Sequence, residues 1–469
     1  MRNSIRIHCF ILIALLLTSG ELDAKRVLLP RNGIDGKCVL KQSMFNKMAD
    51  EYIVRNHYDL MGETITIPEG AKLVFKGSGC VANGTLIGQK SSLKANSKKT
   101  VFYNITVSGL WNVEEIYSNW FDFGEKADEN TRNFQNMCSL TADDYKGVIH
   151  ISEGDYPVEL TSDNISCLKP NSNTEIVLDG NLLLQSNALK EYNIIDVSKK
   201  HNVSISGRGS VVGDVIGHTG TVGEWGMGVN ITNSRDVTLQ DITIKNCWGD
   251  CIYIGQSKIA LDDYSENVII ERVTCEAGRR QGLSLIAGKN IHVKHCTFTN
   301  TGKIKYTAPG RGVDIEPNNK DKTVVQGILI EDCVFSGNYN NNDFLTYNLN
   351  RDASIRVARC KMDGIVSLIQ NTYNVVIDSC EIHSLNYVNS SISNNIVRNT
   401  VFKFVKPNTN QPQKVKFENC EYPIEKTSAL FFSVGPLDYL KGNYKTFAYP
   451  VGIFLLSVVL YKAGRRWSS

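Results

Sequence analysis

The chain has 469 residues, of which 42% are hydrophobic and 21% are charged. These fractions exclude an intrinsically disordered chain and a protein that crosses a membrane many times. Lysine and arginine number 51 against 48 aspartates and glutamates, and a surplus this small argues against a nucleic-acid partner, which normally meets a basic stripe. The 13 cysteines need an explanation as disulfides, metal ligands or a repeated position.

Both ends of the chain carry apolar segments. Residues 1–24 predict a secretory signal peptide, because a basic start precedes a short apolar run and small residues follow it. The predicted location is therefore secreted, periplasmic or at the cell surface. Residues 447–461 form a second apolar run, shorter than a usual membrane helix but with a basic flank. A membrane partner is expected only if this run is an anchor; otherwise residues 426–469 form a cap or tail.

Short alternating strands separated by Gly, Asn and Asp fill most of the chain, with little helical periodicity. A recurring pattern places a cysteine after such a strand, at Cys247, Cys275, Cys296, Cys333, Cys360, Cys380 and Cys420. The intervals of 28, 21, 37, 27, 20 and 40 residues are typical of a solenoid whose coils carry variable loops. We therefore predict that these seven cysteines stack at one position as buried free thiols, with no metal site.

A second alignment predicts which residues face outward. Strands at 193–198, 228–233, 251–256, 282–287 and 312–317 align so that Ile195, Val229, Ile252, Leu283 and Val313 stack inward. Because side chains alternate across a strand, the next residues form an outward column of Asp196, Asn230, Tyr253, Ser284 and Asp314. The following outward column is Ser198, Thr232, Gly255, Ile286 and Glu316. The sequence thus predicts an extended polar face, which suits an extended ligand.

Several stretches resemble a known family. NWFDFGEKADENTRNFQNMCSL…GVIHISEGDYPV (119–158), NVSISGRGSVVGD (202–214), WGDCIYIG, RRQGLSLIAG and GRGVDIEPN resemble the right-handed parallel β-helix proteins of the pectate-lyase-like superfamily. The resemblance implies an all-β fold, a right-handed parallel β-helix over residues 119–425 with a short capping helix near residues 130–140. Residues 25–118 are expected to form a β-rich region of extra coils, and the implied activity is on polysaccharides.

The chain departs from both enzyme groups of that superfamily. Polygalacturonases have a paired aspartate after Gly in the third catalytic strand, whereas this chain has only Asp250 between Gly249 and Cys251. Their His-Gly and Arg-x-Lys elements are not recognisable, nor is the calcium-binding aspartate cluster of pectate lyases. Neither group is therefore assigned by motif.

Candidate catalytic carboxylates lie on the predicted outer face. Asp314 and Glu316 are two residues apart on one strand, which places their side chains about 6.5–7 Å apart on one face. Inverting glycosidases hold their two carboxyl groups ~6.5–9.5 Å apart, with the attacking water between them. The pair, with Asp250, could therefore supply acid and base. The alternative is a solvated strand face.

The Gly-rich insertion at residues 213–228 adds His218, Glu224 and Trp225 beside the same face, as further catalytic or binding groups. Its alternative is a surface loop. Arg280 is a candidate for binding an acidic sugar, or else for neutralising a stacked aspartate. Trp248 either stacks on sugar or packs against the coil. The remaining predicted substrate-binding residues are Asn230, Tyr253 and Ser284.

The sequence as a whole predicts an exported enzyme that cleaves a polysaccharide or oligosaccharide by hydrolysis, without a cofactor. One alternative is a lyase for uronic-acid glycans, to which calcium could bind, and the acidic loop with Asp262, Asp263 and Glu266 could begin such a site. The other alternative is a non-catalytic glycan-binding or surface solenoid. The three hypotheses differ in their products. A hydrolase releases reducing ends without an unsaturated product, a lyase forms an unsaturated product, and a binding solenoid forms no product.

Overall fold

The computed structural model describes residues 25–33, 38–45, 49–256, 263–319, 322–387, 391–405, 407 and 409–423. The predicted signal peptide at residues 1–24 and the predicted tail at 426–469, with its apolar run, lie outside the described residues. One α-helix, α1 (Ala127–Ser139), occurs in the described part, close to the predicted capping helix. No helix in these ranges is long and apolar enough to cross a membrane.

The N-terminal region consists of eight strands that pair in parallel. They are β1 (Arg26–Leu28), β2 (Cys38–Val39), β3 (Glu51–Val54), β4 (His57–Asp59), β5 (Thr64–Thr66), β6 (Lys72–Phe75), β7 (Cys80–Lys94) and β8 (Phe102–Trp111). Glu51 is opposite Lys72, and Lys72 is opposite Ser92, so the chain returns to the same position about every 20 residues. This regular return is the pairing of a coil.

The strands that follow continue the coil to the end of the described residues. The first are β9 (Glu115–Tyr117), β10 (Gly147–Ile151), β11 (Asp155–Val158), β12 (Ser166–Leu168), β13 (Thr174–Leu178), β14 (Asn181–Leu184), β15 (Glu191–Asp196), β16 (His201–Ser206) and β17 (Ser210–Val212). Next are β18 (Trp225–Thr232), β19 (Arg235–Gln240), β20 (Thr243–Lys245), β21 (Ile252–Gly255), β22 (Ser265–Glu271), β23 (Thr274–Glu276), β24 (Gln281–Leu285), β25 (Gly288–Lys294), β26 (Thr297–Thr299) and β27 (Arg311–Ile315). The last are β28 (Val325–Glu331), β29 (Val334–Ser336), β30 (Asn342–Thr346), β31 (Ile355–Ala358), β32 (Lys361–Leu368), β33 (Val375–Asp378), β34 (Glu381–Asn386), β35 (Asn395–Arg398), β36 (Val401–Phe402) and β37 (Val415–Glu418).

Each turn of the coil, called a rung here, contributes a strand to each of up to three parallel stacks. Sheet A contains β9, β10, β13, β16, β19, β22, β25, β28, β31, β33, β35 and β37. The other strands alternate between sheet B, with β11, β14, β17, β20, β23, β26 and β29, and sheet C, with β12, β15, β18, β21, β24, β27 and β30. The later strands β32 and β34 run from sheet B into sheet C, and β36 continues sheet B. The predicted parallel β-solenoid is confirmed.

The inward column predicted for sheet C is confirmed residue by residue. Ile195 pairs with Val229, Val229 with Ile252, Ile252 with Leu283 and Leu283 with Val313. All five side chains are fully buried and belong to one continuous core. Identical apolar positions therefore stack from rung to rung, and the hydrophobic burial is shared along the coil axis.

The buried thiols form a shorter column than predicted. Cys296, Cys333, Cys360 and Cys380 lie side by side in successive rungs, and Thr400 separates Cys380 from Cys420. The prediction was wrong for Cys275, which pairs with Phe298, and for Cys247, which lies beyond β20. Two residues that are two positions apart on a strand both face the core, so a cysteine can occupy either position. The intervals between cysteines in the sequence do not show which of the two positions each cysteine occupies.

All twelve cysteines of the described residues are free, and only Cys420 is not buried. We expect an alkylating reagent to modify Cys420 in the folded protein and the other eleven only after denaturation, because a thiol must be reached to react. Mass spectrometry of native and denatured samples checks this. Modification of Cys333 in the native protein as fast as in the denatured one would contradict the buried column.

Candidate functional site

Sheet C carries the outward polar column that the sequence predicted. Asp196 pairs with Asn230, Asn230 with Tyr253, Tyr253 with Ser284 and Ser284 with Asp314. The backbone ladder thus aligns five side chains that are spread over more than a hundred residues of the sequence. This alignment confirms the predicted register of the column.

The column is less open than a bare strand face. Ser284 and Asp314 are fully buried, and Asn230 is also buried, so the prediction that these residues present an exposed face is wrong for them. One contact on this column comes from Gln281, the first residue of β24, whose side chain reaches Asp314. Gln281 Nε2 donates a hydrogen bond to Asp314 Oδ2 at 2.9 Å, and the backbone N–H of Arg311 donates to Gln281 Oε1 at 2.9 Å.

Asp314 and Glu316 converge into one proton-sharing pair. Burial raises the pKa of Asp314 well above its ordinary value, and the neighbouring Glu316 carboxyl adds to the rise. Burial also raises the pKa of Glu316, against the opposing effect of the Arg280 guanidinium. The two carboxyl groups are hydrogen-bonded to each other, which requires a proton between them.

This convergence corrects the separation that the strand spacing predicted. The hydrogen bond between the two side chains brings the carboxyl groups closer than about 6.5–7 Å, and so closer than the two groups of an inverting pair. If the site uses two separated carboxyl groups, the second one must come from another rung.

Arg280 supplies the link to that other rung. Its Nη1 donates to Asp250 Oδ2 at 3.0 Å, and its Nε lies 3.8 Å from Glu224 Oε2. Asp250 is fully buried, and burial raises its pKa to about 7, against the attraction of Arg280. Of the two predicted roles of Arg280, binding an acidic sugar or neutralising a stacked aspartate, its contacts match the second.

Glu224, Asp250, Asp314 and Glu316 around Arg280 are called the carboxylate cluster from here on. Asp250 and Asp314 are its buried members, whereas the side chain of Glu224 is 29% exposed and Glu316 is half-buried. Glu224 raises the pKa of Glu316, so the two interact through space. A ligand on sheet C would therefore contact Glu224 and Glu316, with the two aspartates beneath them.

His218 and Trp248 belong to a buried network beside this cluster. The side chain of His218 is fully buried, its Nδ1 lies 2.8 Å from Asp214 Oδ2, and its ring stacks on Trp248 at 3.7 Å between centroids. The guanidinium of Arg279 lies on Trp248 at 3.6 Å from the ring centre. The structure therefore does not bring His218 or Trp248 to the exposed face. Trp248 packs against the coil, the second of its two predicted alternatives.

This network also contains residues that the sequence reasoning missed. The Tyr192 hydroxyl donates a hydrogen bond to Asp214 Oδ1 at 2.7 Å and accepts one from the backbone N–H of Trp248 at 3.2 Å. The i, i+4 spacing of Asp214 and His218 was a usable signal for their contact. Lys305 joins the network by donating to the His218 carbonyl at 3.0 Å, and its position 87 residues away gave no such signal. The network holds residues 213–224 against the coil and so positions Glu224.

Trp225 and Tyr253 are the predicted binding residues that remain accessible. Trp225 is 44% exposed and is the first residue of β18, directly after Glu224. Tyr253 is half-buried, and burial together with the nearby Asp250 raises its pKa to about 12. Its hydroxyl therefore remains protonated and able to donate a hydrogen bond at neutral pH.

The acidic loop suggested for calcium has other partners in its described part. Asp263 Oδ2 accepts from Asn233 Nδ2 at 2.5 Å, and Glu266 lies 3.3 Å from Lys289 Nζ. Asp262 lies outside the described residues. Within the residues that the structure does describe, no group of three His, Cys, Asp or Glu side chains is placed to hold a metal ion.

Comparison with known proteins bears on the fold. A family model described as "right handed beta helix region" matches residues 172–325. YclG, an uncharacterized protein of Bacillus subtilis strain 168, is 29% identical over 225 residues, which cover 43% of this chain and 38% of that protein. YorA, an uncharacterized SPbeta prophage-derived protein of the same strain, is 23% identical over 242 residues, 46% of this chain and 41% of that protein. The chain thus spans about two fifths of the length of these curated relatives.

A solved structure with similarity is the tailspike protein gp49 of Acinetobacter baumannii bacteriophage Fri1, described as a capsular polysaccharide depolymerase. It is 13% identical, with a TM-score of 0.40, and the match covers 66% of this chain and 60% of that one. The family match falls on the rungs from β13 to β27, which carry the carboxylate cluster. The stacked parallel sheets form a parallel β-helix, and the family model over residues 172–325 describes this fold in its right-handed form.

Proposed function

We propose that the chain hydrolyses glycosidic bonds of a polysaccharide or oligosaccharide bound along sheet C. The observation that carries the proposal is the hydrogen-bonded pair of Asp314 and Glu316, whose pKa values are both raised, together with Arg280, whose Nε lies 3.8 Å from Glu224 Oε2. Glycoside hydrolysis uses one carboxyl group that still holds its proton and a second one that is ionised. The carboxylate cluster contains candidates for both.

The proposal gives each member of the cluster a role. Glu316 donates its proton to the leaving oxygen, because it is the more accessible carboxyl of the proton-sharing pair. Glu224 is the second carboxylate, which either activates water or attacks the sugar. Asp314 holds the shared proton in the resting state and passes it to Glu316 as Glu316 protonates the leaving oxygen, and Asp250 accepts a hydrogen bond that holds Arg280 near Glu224.

The same contacts support hydrolysis over elimination. A lyase for uronic acids needs a cation to bind the sugar carboxylate and a base to remove the neighbouring proton. Arg280 already donates to Asp250 and faces Glu224. In this proposal the enzyme works outside the cytoplasm, as residues 1–24 predict.

The test is a panel of polysaccharides incubated with the chain lacking residues 1–24, with reducing ends and ultraviolet absorbance measured together. We expect reducing ends to accumulate without an unsaturated product. An absorbance rise matching the reducing ends would identify a lyase. Binding without any product would identify a glycan-binding solenoid.

A matched pair of variants connects the activity to the cluster. Glu224→Gln should abolish turnover and keep glycan binding. Glu153→Gln, on an exposed carboxylate that lies 2.9 Å from surface Arg208, should leave turnover unchanged. Equal turnover of the two variants would contradict the role of Glu224.

A further inference from the structure

We propose that the N-terminal coil binds an anionic polysaccharide through four cationic residues on three stacked turns, at a site separate from the carboxylate cluster. The four residues are called the basic corner from here on: Arg55, Lys76, Lys98 and Lys99. The proposal concerns a second binding surface and does not depend on the proposed hydrolysis. Three features support it: the charge distribution along the sequence, the stacking of the turns and the lack of carboxylate partners.

The charges of the chain are unevenly distributed along the sequence. Residues 70–113 contain six lysines and neither an aspartate nor a glutamate, although the whole chain has a formal net charge of only +3. The rest of the chain is therefore net negative. A local excess of one sign creates a potential that the total charge does not reveal, and a positive one attracts polyanions.

Three successive turns of the coil bring cations from this stretch close to Arg55. The turns are residues 55–56 between β3 and β4, 76–79 between β6 and β7, and 95–101 between β7 and β8. The backbone N–H of Lys76 donates to the Val54 carbonyl at 2.9 Å, and Lys99 Nζ donates to the Gly77 carbonyl at 2.8 Å. Each turn thus contacts the next one, and the four cations lie on neighbouring turns at one side of the coil.

The basic corner lacks the carboxylate partners that several surface cations of later rungs have. All four of its residues are exposed, and within the described residues none of them forms an ion pair with a carboxylate. In contrast, Arg208 lies 2.9 Å from Glu153, and Lys403 lies 3.1 Å from Glu381. Unpaired positive charges on neighbouring turns repel one another, and a bound polyanion would remove this repulsion.

The composition of the three turns favours a polysaccharide over the other common polyanions. The turns contain no aromatic ring and no exposed large apolar side chain. Single-stranded nucleic acid normally binds where aromatic rings stack on its bases, and duplex DNA where a helix or β-ribbon enters a groove. Interfacial membrane binding normally adds apolar side chains to the cations. The anionic groups of an acidic polysaccharide need only the donors that lysine and arginine supply.

The basic corner is separated from the carboxylate cluster along the coil. The rungs that contain β9, β10, β13 and β16 lie between the two. Neighbouring strands are about 4.8 Å apart, so these rungs correspond to roughly 20 Å. An acidic polymer bound at the basic corner would therefore hold the protein in place without occupying the carboxylate cluster.

The first test compares dextran sulfate with dextran, which has the same backbone without the charges, by measuring their binding to the full chain at low salt. We expect binding of dextran sulfate only, and weaker binding as salt is added, because salt screens exposed charges. Equal binding of the two polymers, or no binding of dextran sulfate, overturns the proposal. Tighter binding of a DNA duplex or of anionic phospholipid vesicles than of dextran sulfate overturns the choice of a polysaccharide.

Two variants that lose the same number of charges locate the binding. The first removes the basic corner, with Arg55→Gln, Lys76→Gln, Lys98→Gln and Lys99→Gln in one chain. The matched control removes four surface cations that are paired with carboxylates: Arg208→Gln, Lys289→Gln, Lys403→Gln and Lys416→Gln. Both variants should keep the thermal stability of the unmodified chain, because surface substitutions usually change stability little.

The two variants should differ in binding. The basic-corner variant should bind dextran sulfate about tenfold more weakly or worse, because each cation near an anionic surface contributes to the attraction. The control should bind as the unmodified chain does. Equal weakening by the two variants would show that only the total charge matters, and unchanged binding by the basic-corner variant would place the contact elsewhere; either result overturns the proposed site.

Discussion

Glu316→Gln is expected to lower kcat by about 10²–10⁴-fold, the usual contribution of a general acid. Glutamine keeps the shape of the side chain and can donate to Asp314, so the fold should be retained, but it has no proton to give to the leaving oxygen. The measurement is release of reducing ends at saturating substrate, with thermal unfolding recorded for the same sample.

Two comparisons make this result specific. Glu153→Gln removes a carboxylate from the coil surface far from the cluster and should behave like the unmodified chain. A substrate with a good leaving group should restore much of the rate of Glu316→Gln, because its leaving oxygen needs no protonation. Retention of full activity by Glu316→Gln on ordinary glycans would show that the proton comes from another group.

Arg280→Leu is expected to reduce the free energy of unfolding by roughly 3–5 kcal/mol near pH 8, the cost of leaving a buried charge without its partner. The loss should be smaller near pH 5. Burial raises the pKa of folded Asp250 to about 7, so at pH 5 this group is largely protonated and makes little use of Arg280. Denaturant unfolding at the two pH values checks the prediction.

The sign of the pH dependence follows from the raised pKa of Asp250. Below the pKa of the unfolded chain the group is protonated in both states. Between that value and about 7 the unfolded chain releases its proton first, so the contribution of Asp250 to stability falls as pH rises. Removing Arg280 raises the pKa of folded Asp250 further and extends this fall to higher pH. If Arg280→Leu lost the same free energy of unfolding at pH 5 and at pH 8, the raised pKa of Asp250 would not be the cause of the loss.

Two further variants test whether the loss of stability comes from the ion pair between Arg280 and Asp250. The double variant Arg280→Leu with Asp250→Asn should recover part of the stability, because no buried charge is then left alone. Arg208→Leu breaks an ion pair in which both side chains are more than 75% exposed, and it should have no measurable effect. A double variant as unstable as Arg280→Leu alone would show that the loss comes from packing.

The repeat in the sequence was sufficient to predict the parallel coil and the alignment of sheet C. Alternation along each strand and the shared apolar positions determine which residues stack, so the partners from Asp196 to Asp314 could be identified without coordinates. These features are local to each strand and repeat from rung to rung. The same rule failed for Cys275, because two inward positions on one strand satisfy it equally well.

The site itself could be predicted only in part, because its geometry depends on contacts between rungs and loops. The convergence of Asp314 on Glu316 is a choice of side-chain rotamer that strand spacing does not contain. The burial of His218 depends on Asp214, Trp248 and a lysine far along the chain. Loop residues such as Glu224 follow no repeat, so their distance to Arg280 appears only when the coil is built.

The carboxylate cluster extends over four consecutive rungs, from Glu224 before β18 to Glu316 after β27, inside a stack in which each rung bonds only to its neighbours. Such a stack behaves as a one-dimensional chain of coupled units, and heat melts it from the ends inward. Rungs lie on both sides of the cluster, from β9 to β17 and from β28 to β37. On heating, the outer rungs therefore unfold first. The distances between the carboxyl groups of the cluster change only after these outer rungs have unfolded.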